Sequence, residues 1–349
     1  METSIRSGDD EAVVSERVGP FEYVPTRFRA PAWLRSAHAQ TLGGKLFRPT
    51  PPVPLQRERW ETPDGDFLDL DFVDPPAPDK EPERRLAIVL HGLEGSATRS
   101  YALLSYAALR RVGVRAVGLN FRGCSGEPNR LARFYHSGDT ADLRWVVDRL
   151  RSRYPRAAVG AIGFSLGGNV LLKLLGELGD AGPSTIGAAV AISVPFDLAA
   201  GSAQLERGPM ARLYTYYFIR MLRAKVRAKQ ALLNGACDID RVLTARTLRE
   251  FDHNATAPLH GFRDADDYYA RASSHDHIAR IRVPTLIIHS LDDPFLPSDR
   301  IPRDAAAANP WVTTAITDHG GHVGFITGPP WAPRFWAEDE AARFLSAQL

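Results

Sequence analysis

Apolar runs and alternating segments divide the chain into strands and helices that take turns. Runs favouring β structure lie at 67–73, 86–90, 114–119, 158–163, 188–194, 285–289 and 312–316, each of strand length and bounded by polar or turn residues. Helix-like periodicity occupies 101–111, 140–153, 166–178 and 331–345, between most of those runs. Such alternation predicts a mostly parallel sheet covered by helices on both faces. Leu86-Ala87-Ile88-Val89-Leu90 is apolar at every position, as a central strand buried on both sides requires.

The alternation fails once. Between Pro195 and Arg280 no strand is discernible, and the aromatic run Leu213-Tyr214-Thr215-Tyr216-Tyr217-Phe218-Ile219 is followed by the basic residues Arg220, Arg223, Lys225, Arg227 and Lys229. We read a helical insertion at about 196–280. It leaves the sheet after the strand ending at Val194, at the carboxyl edge where open α/β sheets bind ligands, and is expected to form a lid. The basic stretch would touch anionic membrane surfaces if it faced outward; the commoner arrangement buries the apolar face and solvates the charges. The remainder, 25–349, reads as one domain, with 1–24 as a mobile N-terminal tail and a Pro-rich linker at 49–54.

Composition narrows the class of protein. Hydrophobic residues at 44% and charged residues at 24% indicate an ordinary globular chain. Forty-three basic against forty-one acidic side chains leave a formal charge of +2, so no global attraction for nucleic acid is expected. Cys124 and Cys237 lie too far apart for a metal-binding pair or a disulfide framework and are read as reduced thiols. The first 18 residues lack the apolar core of a secretory signal, and no segment approaches the ~20 uninterrupted apolar residues of a membrane span. A cytoplasmic protein is the default expectation.

Candidate chemistry begins at Gly163-Phe164-Ser165-Leu166-Gly167-Gly168, set between the strand at 158–163 and the helix at 166–178. Glycines two residues either side of the serine let strand and helix approach closely, and the sharp turn lifts the hydroxyl above the sheet. The helix N-terminus behind it favours negative charge near Ser165. A serine hydroxyl needs a base to act as a nucleophile at neutral pH, which makes a histidine and its orienting acid necessary.

After the strand at 285–288 comes His289-Ser290-Leu291-Asp292-Asp293-Pro294-Phe295-Leu296-Pro297, with two competing acids. Asp293 is preferred on its spacing to Pro297, leaving Asp292 to the turn. Past the last strand, Asp318-His319-Gly320-Gly321-His322-Val323-Gly324-Phe325 offers two histidines. His322 is preferred over His319, since two glycines precede it and apolar residues follow to anchor the loop. The chain order nucleophile, acid, histidine is the order of one known arrangement of this triad. For the oxyanion, the backbone amides of Leu93, in His91-Gly92-Leu93-Glu94-Gly95-Ser96, and of Leu166 are the candidates; His91 is read as ordering its loop.

Several further segments resemble the YheT-like family of α/β hydrolases, also called the AB hydrolase-4 family, from Phe28 onward. Pro31-Ala32-Trp33-Leu34 with His38-Ala39-Gln40-Thr41-Leu42 is similar to its N-terminal signature, and Asn120-Phe121-Arg122-Gly123-Cys124-Ser125-Gly126-Glu127 with Tyr135-His136-Ser137-Gly138 to its central one. In the insertion, Phe251-Asp252, Pro258-Leu259-His260-Gly261-Phe262 and Tyr268-Tyr269 are similar as well. The resemblance implies the α/β-hydrolase fold, a catalytic Ser165, Asp293 and His322, and reaction on carboxylic esters, with short- to medium-chain acyl and lipid esters as the substrate range.

The expected reaction is attack of Ser165 on an ester carbonyl with His322 as base, Asp293 stabilising the imidazolium and water releasing the acid. It calls for no metal or organic cofactor. The alternative is acyl transfer to an alcohol by the same triad. A haloalkane dehalogenase is disfavoured because its nucleophile is a carboxylate, and a catalytically silent binding protein because all three triad positions are filled.

Overall fold

A computed structural model describes residues 20–75 and 84–349. Eight strands form one sheet: β1 (Gln56–Glu61), β2 (Phe67–Val73), β3 (Arg85–Leu90), β4 (Arg115–Leu119), β5 (Ala158–Phe164), β6 (Ala188–Ile192), β7 (Thr285–Ser290) and β8 (Val312–Thr317). Their spatial order is β1-β2-β4-β3-β5-β6-β7-β8. The β1–β2 and β2–β4 pairs are antiparallel and every pair from β4 to β8 is parallel. The chain therefore moves outward from β3 to β4, then returns past β3 to build the other half from β5. That reversal puts the loops after β3 and β5 side by side at the carboxyl edge, with Leu90 in register with Gly163, the place where such sheets open a crevice.

Side chains alternate across each central strand. Leu86, Ile88 and Leu90 enter one core with Val146 and Leu150 of α3 (Thr140–Arg153) and Val170, Leu171 and Leu174 of α4 (Leu166–Leu178). Ala87 and Val89 enter the opposite core with Tyr106 and Leu109 of α2 (Ser100–Arg111) and Phe344 and Leu345 of the C-terminal helix Trp336–Gln348. Each fully buried aliphatic side chain contributes about 1.5–3 kcal/mol by leaving water, which favours the unbroken apolar run Leu86–Leu90 in β3.

The insertion between β6 and β7 is helical throughout, from α5 (Leu198–Gln204) and α6 (Pro209–Ala228) to the last helical turn at His275–Arg280. Its own core joins Ile219 and Val226 of α6 to Leu233, Val242 and Phe251, and closes on Phe134 of the sheet body. The basic stretch neither faces outward as a unit nor solvates all its charges. Lys225 reaches Glu94 at 2.7 Å, and Lys229, 2% exposed, donates to Asn129 Oδ1 at 3.0 Å, to Arg133 O at 2.8 Å and to Leu131 O. Helical spacing explains the split: 225 and 229 share the face turned to the body, while Arg220 and Arg227 are exposed.

Three further differences from the sequence expectations have simple causes. β1 is charged at Arg57, Glu58 and Arg59 and so carries no apolar signal, but Arg57 and Arg59 cover the buried Asp71 and Asp69 of β2 at 2.9 and 2.8 Å. The C-terminal helix starts at Trp336, not 331, since Pro333 disfavours helix before it and Arg334–Phe335 pairs with Ile326–Thr327. Of the expected tail 1–24, residues 1–19 lie outside the described residues, but contacts with the body begin before 25: the Tyr23 ring meets Phe344 at 4.7 Å and its hydroxyl donates to Glu340 Oε1 at 2.8 Å. Among the described residues no helix is long and apolar enough to cross a membrane.

Candidate active site

Ser165 stands between β5 and α4 with φ 51° and ψ −117°, a sparsely populated conformation that costs on the order of 1–3 kcal/mol and persists only where neighbours enforce it. The glycines are the enforcing feature. A Cβ on Gly163 would lie 2.5 Å from Gly167 O, and one on Gly167 would lie 2.7 Å from Leu90 O. Strand, turn and helix thus pack backbone to backbone, and the serine side chain has no route except outward.

There it meets the two other predicted groups. Ser165 Oγ is 2.9 Å from His322 Nε2, and His322 Nδ1 is 2.8 Å from Asp293 Oδ2. A carboxylate can only accept, so it fixes the imidazole proton on Nδ1 and leaves Nε2 to accept from the serine hydroxyl. Asp293, 4% exposed, also accepts the Phe295 amide N–H at 2.9 Å through Oδ1, and the Phe295 ring stacks on the imidazole at 4.3 Å. The competing pair is nearby but separate. Asp292 accepts the Gly321 amide at 2.9 Å and lies 3.3 Å from His319 Nδ1, bracing the histidine loop.

The oxyanion candidates line the same cavity as Ser165 and His322. Of three successive amides after β3, Gly92 donates to the Tyr101 hydroxyl at 3.1 Å and Glu94 to the Tyr135 hydroxyl at 2.7 Å. The Leu93 amide between them meets no acceptor among the described residues, and Leu166 opens α4, where no internal acceptor exists for its amide. His91 accepts the Phe121 amide on Nε2 at 3.2 Å, so its proton sits on Nδ1 and donates to Gly92 O at 2.7 Å. Burial lowers its pKa to about 3, keeping it a neutral strut for the loop.

Sequence reasoning did not find the supports of the histidine loop. The His322 amide donates to Thr41 Oγ1 at 2.9 Å, the Val323 amide to Ser193 Oγ at 3.0 Å, and Arg48 Nη2 to Val323 O at 2.7 Å. Gln40 brackets the loop's far end, accepting from the Ile326 amide at 2.8 Å and donating to its carbonyl at 3.0 Å. Gln40 and Thr41 belong to α1 (Ala37–Leu46), a helix whose internal glycines weaken its sequence signal. The motif containing them was visible, but its task was not.

The cavity runs from Ser165 and His322 under the insertion, where Leu198, Leu205, Phe218, Leu222, Leu248 and Phe251 give it mainly apolar walls. Charges on its wall are internally compensated: Lys225 with Glu94 at 2.7 Å, and Asp252 accepting from Thr256 and Tyr269 hydroxyls at 2.6 and 2.8 Å. His136, Asp139 and His260 bring ligand-type atoms within 4.8 Å of one another, but they do not fit a divalent cation. A metal-bound imidazole donates its other N–H to an acceptor, whereas His136 Nδ1 accepts the Gly138 amide at 3.1 Å. Asp139 is meanwhile neutralised by Arg133 at 2.7 Å.

The fold model described as alpha/beta hydrolase fold matches residues 88–329. The chain is 40% identical over 330 residues to YheT of Escherichia coli, covering 94% of each. It is 35% identical over 309 residues to the phospholipase ABHD3 of Mus musculus, covering 88% of this chain and 74% of that one. Among solved structures, an esterase of Pyrococcus furiosus superposes with a TM-score of 0.56 at 18% identity, over 85% of this chain and 91% of the other, a likeness of fold.

Proposed function

The chain belongs to the α/β-hydrolase family as a near relative of YheT and is a serine hydrolase of carboxylic esters, and from that premise we propose that Ser165, His322 and Asp293 are its triad. The observation that carries this reading is the unbroken line of contacts from Ser165 Oγ through the imidazole to Asp293, at 2.9 and 2.8 Å. As Ser165 attacks the ester carbonyl, His322 Nε2 takes its proton and Asp293 stabilises the resulting imidazolium. The Leu93 and Leu166 amides donate to the oxyanion, with the helix dipole of α4 behind them. His322 then returns the proton to the leaving alcohol, and water, deprotonated by the same nitrogen, releases the acid.

Residues 25–349 form the catalytic domain in this reading, and the insertion at 196–280 acts as the lid whose apolar underside takes the hydrocarbon part of the substrate. Lipid esters with short to medium acyl chains suit those walls. The test is Ser165→Ala: hydrolysis of p-nitrophenyl butyrate should fall by roughly 10⁶ and labelling by a fluorophosphonate should vanish, with the circular dichroism unchanged. Retained hydrolysis in that variant would refute the assignment.

A further inference from the structure

His136 and His260 stand apart from the triad yet open onto its cavity. Each comes from a segment singled out in the sequence to which the hydrolytic mechanism gives no task. His136 belongs to the loop before α3, and His260 to the insertion. Their rings meet edge to face with centroids 4.6 Å apart. Phe262 and Tyr268 complete the enclosure of His136 at 5.2 and 5.6 Å.

His136 Nδ1 accepts the Gly138 amide N–H, so in the neutral ring the proton is on Nε2 and that atom is a donor. Burial lowers the pKa values of His136 and His260 to about 2 and about 3, so both rings are uncharged at neutral pH. Neither ring nitrogen of His260 has a hydrogen-bond partner among the described residues, so a neutral His260 offers one donor and one acceptor. An apolar wall therefore carries, side by side, a fixed donor and a ring able both to give and to receive a hydrogen bond. Leaving such groups unsatisfied in a buried site costs about 1–3 kcal/mol each.

A hydroxyl group has the matching pattern, since it accepts and donates at one atom. A phosphate would call for unpaired positive charge, but Arg133 is held by Asp139 at 2.7 Å and Lys225 by Glu94 at 2.7 Å. A quaternary ammonium would call for an open carboxylate, and both oxygens of Asp252 already accept hydroxyl protons. Resting on the triad reading above, we infer that His136 and His260 form a subsite for an uncharged hydroxyl of the substrate, so that the preferred substrate is a hydroxyl-bearing ester.

The hydroxyl could sit on the alcohol or on the acyl part, and substrate pairs separate the two. Glyceryl monobutyrate against propyl butyrate tests the alcohol side, and ethyl 3-hydroxybutyrate against ethyl butyrate tests the acyl side. The expected result is a kcat/KM ratio of about 10 in favour of the hydroxyl ester in one pair, the size of one to two buried hydrogen bonds. That ratio should fall to near one in His260→Phe, whatever the absolute rates, and likewise in His136→Asn, whose amide oxygen can still accept from Gly138. Fluorophosphonate labelling of Ser165 reports folding of each variant. Ratios near one for both pairs in the wild type, or a wild-type preference that survives in labelled His260→Phe and His136→Asn, would overturn the subsite. No hydrolysis and no labelling in the wild type would overturn the triad instead.

Discussion

The sheet body and the helical insertion bury charge in different ways. In the body ions are paired directly: Arg122 forms a fork with Asp142 at 2.7 Å and also meets Asp66 at 3.1 Å, while Arg57 and Arg59 cover Asp71 and Asp69. The insertion holds Asp252 with two hydroxyls and Lys229 with carbonyl oxygens. An opposite charge favours the ionised form and neutral dipoles favour it less, and burial works against both. Burial raises Asp252 to about 6 and lowers Lys229 to about 8, and in the body it also raises Asp139 and Glu338, to about 6 and about 7, beside Arg133 and Arg48. The triad proposed above lies wholly in the body, and the insertion supplies much of the wall of the cavity it opens onto.

The sharpest way to break that assignment is inside the body itself. Asp293→Asn should lower kcat by roughly 10⁴, because the amide no longer selects the Nδ1–H tautomer. Asp292→Asn, one residue away but bonded to Gly321 and near His319, should cost less than about tenfold. Steady-state kinetics on one p-nitrophenyl ester compares the two, and equal losses would mean that the wrong aspartate has been given the role.

That contrast also marks how far the sequence could be read. That Ser165, Asp293 and His322 would come together was legible because each lies in a loop or turn after a β-favouring run, and chain order did the rest. β1 was not, since its inward contacts are made by arginines; nor was the service of Gln40 and Thr41, since a loop some 280 positions away in sequence, at 322–326, is what they hold. His136 and His260 lie in recognisable segments, but only packing of the insertion on the body brings their rings together. Local patterns report the elements, and long-range polar contacts are invisible until the elements are assembled.

The seam between the regions is the next test. Lys225 of the insertion pairs with Glu94, whose φ of 52° is unusual for a non-glycine residue and which follows Leu93 directly. Lys225→Met leaves a buried carboxylate without its cation, a loss of about 3 kcal/mol in stability. If the pair also aims the Leu93 amide, kcat should drop about tenfold with KM changed less, a fraction of the effect of losing an oxyanion donor outright. Lys225→Arg should recover part of it. A loss of stability with kcat intact would confine the pair to holding the lid.

The insertion's dipole-held carboxylate gives a smaller effect with a definite sign. Asp252 binds its proton more tightly in the folded chain, at about 6 against 3.8 for the ordinary group. Its contribution is therefore fully present below about pH 4 and is lost as pH rises through about 6, amounting to about 3 kcal/mol in all. Asp252→Asn removes that loss, so the variant should gain about 2 kcal/mol on the wild type between pH 4 and pH 7.5 in urea titrations. Glu338, raised by burial to about 7, titrates alike in both proteins and cancels. A constant difference across that range would show that Asp252 is not held as an acid.

The smallest effect concerns the outer face of the insertion. Leu213 and Tyr216 are 55% and 65% exposed on α6, on the side where Arg220 and Arg227 also meet solvent. Lys225 and Lys229 are already spent on the body. Attraction of this face to an anionic bilayer would come from the arginines exposed on the helix, Arg212, Arg220 and Arg227, each worth about 1 kcal/mol near a charged surface. Co-sedimentation with phosphatidylserine vesicles should therefore be weak, should fall with salt, and should drop about fivefold for Arg220→Gln or Arg227→Gln. Sedimentation indifferent to salt and to both substitutions would leave those arginines as solvated charges, with the inward lysines as the working half of the basic stretch.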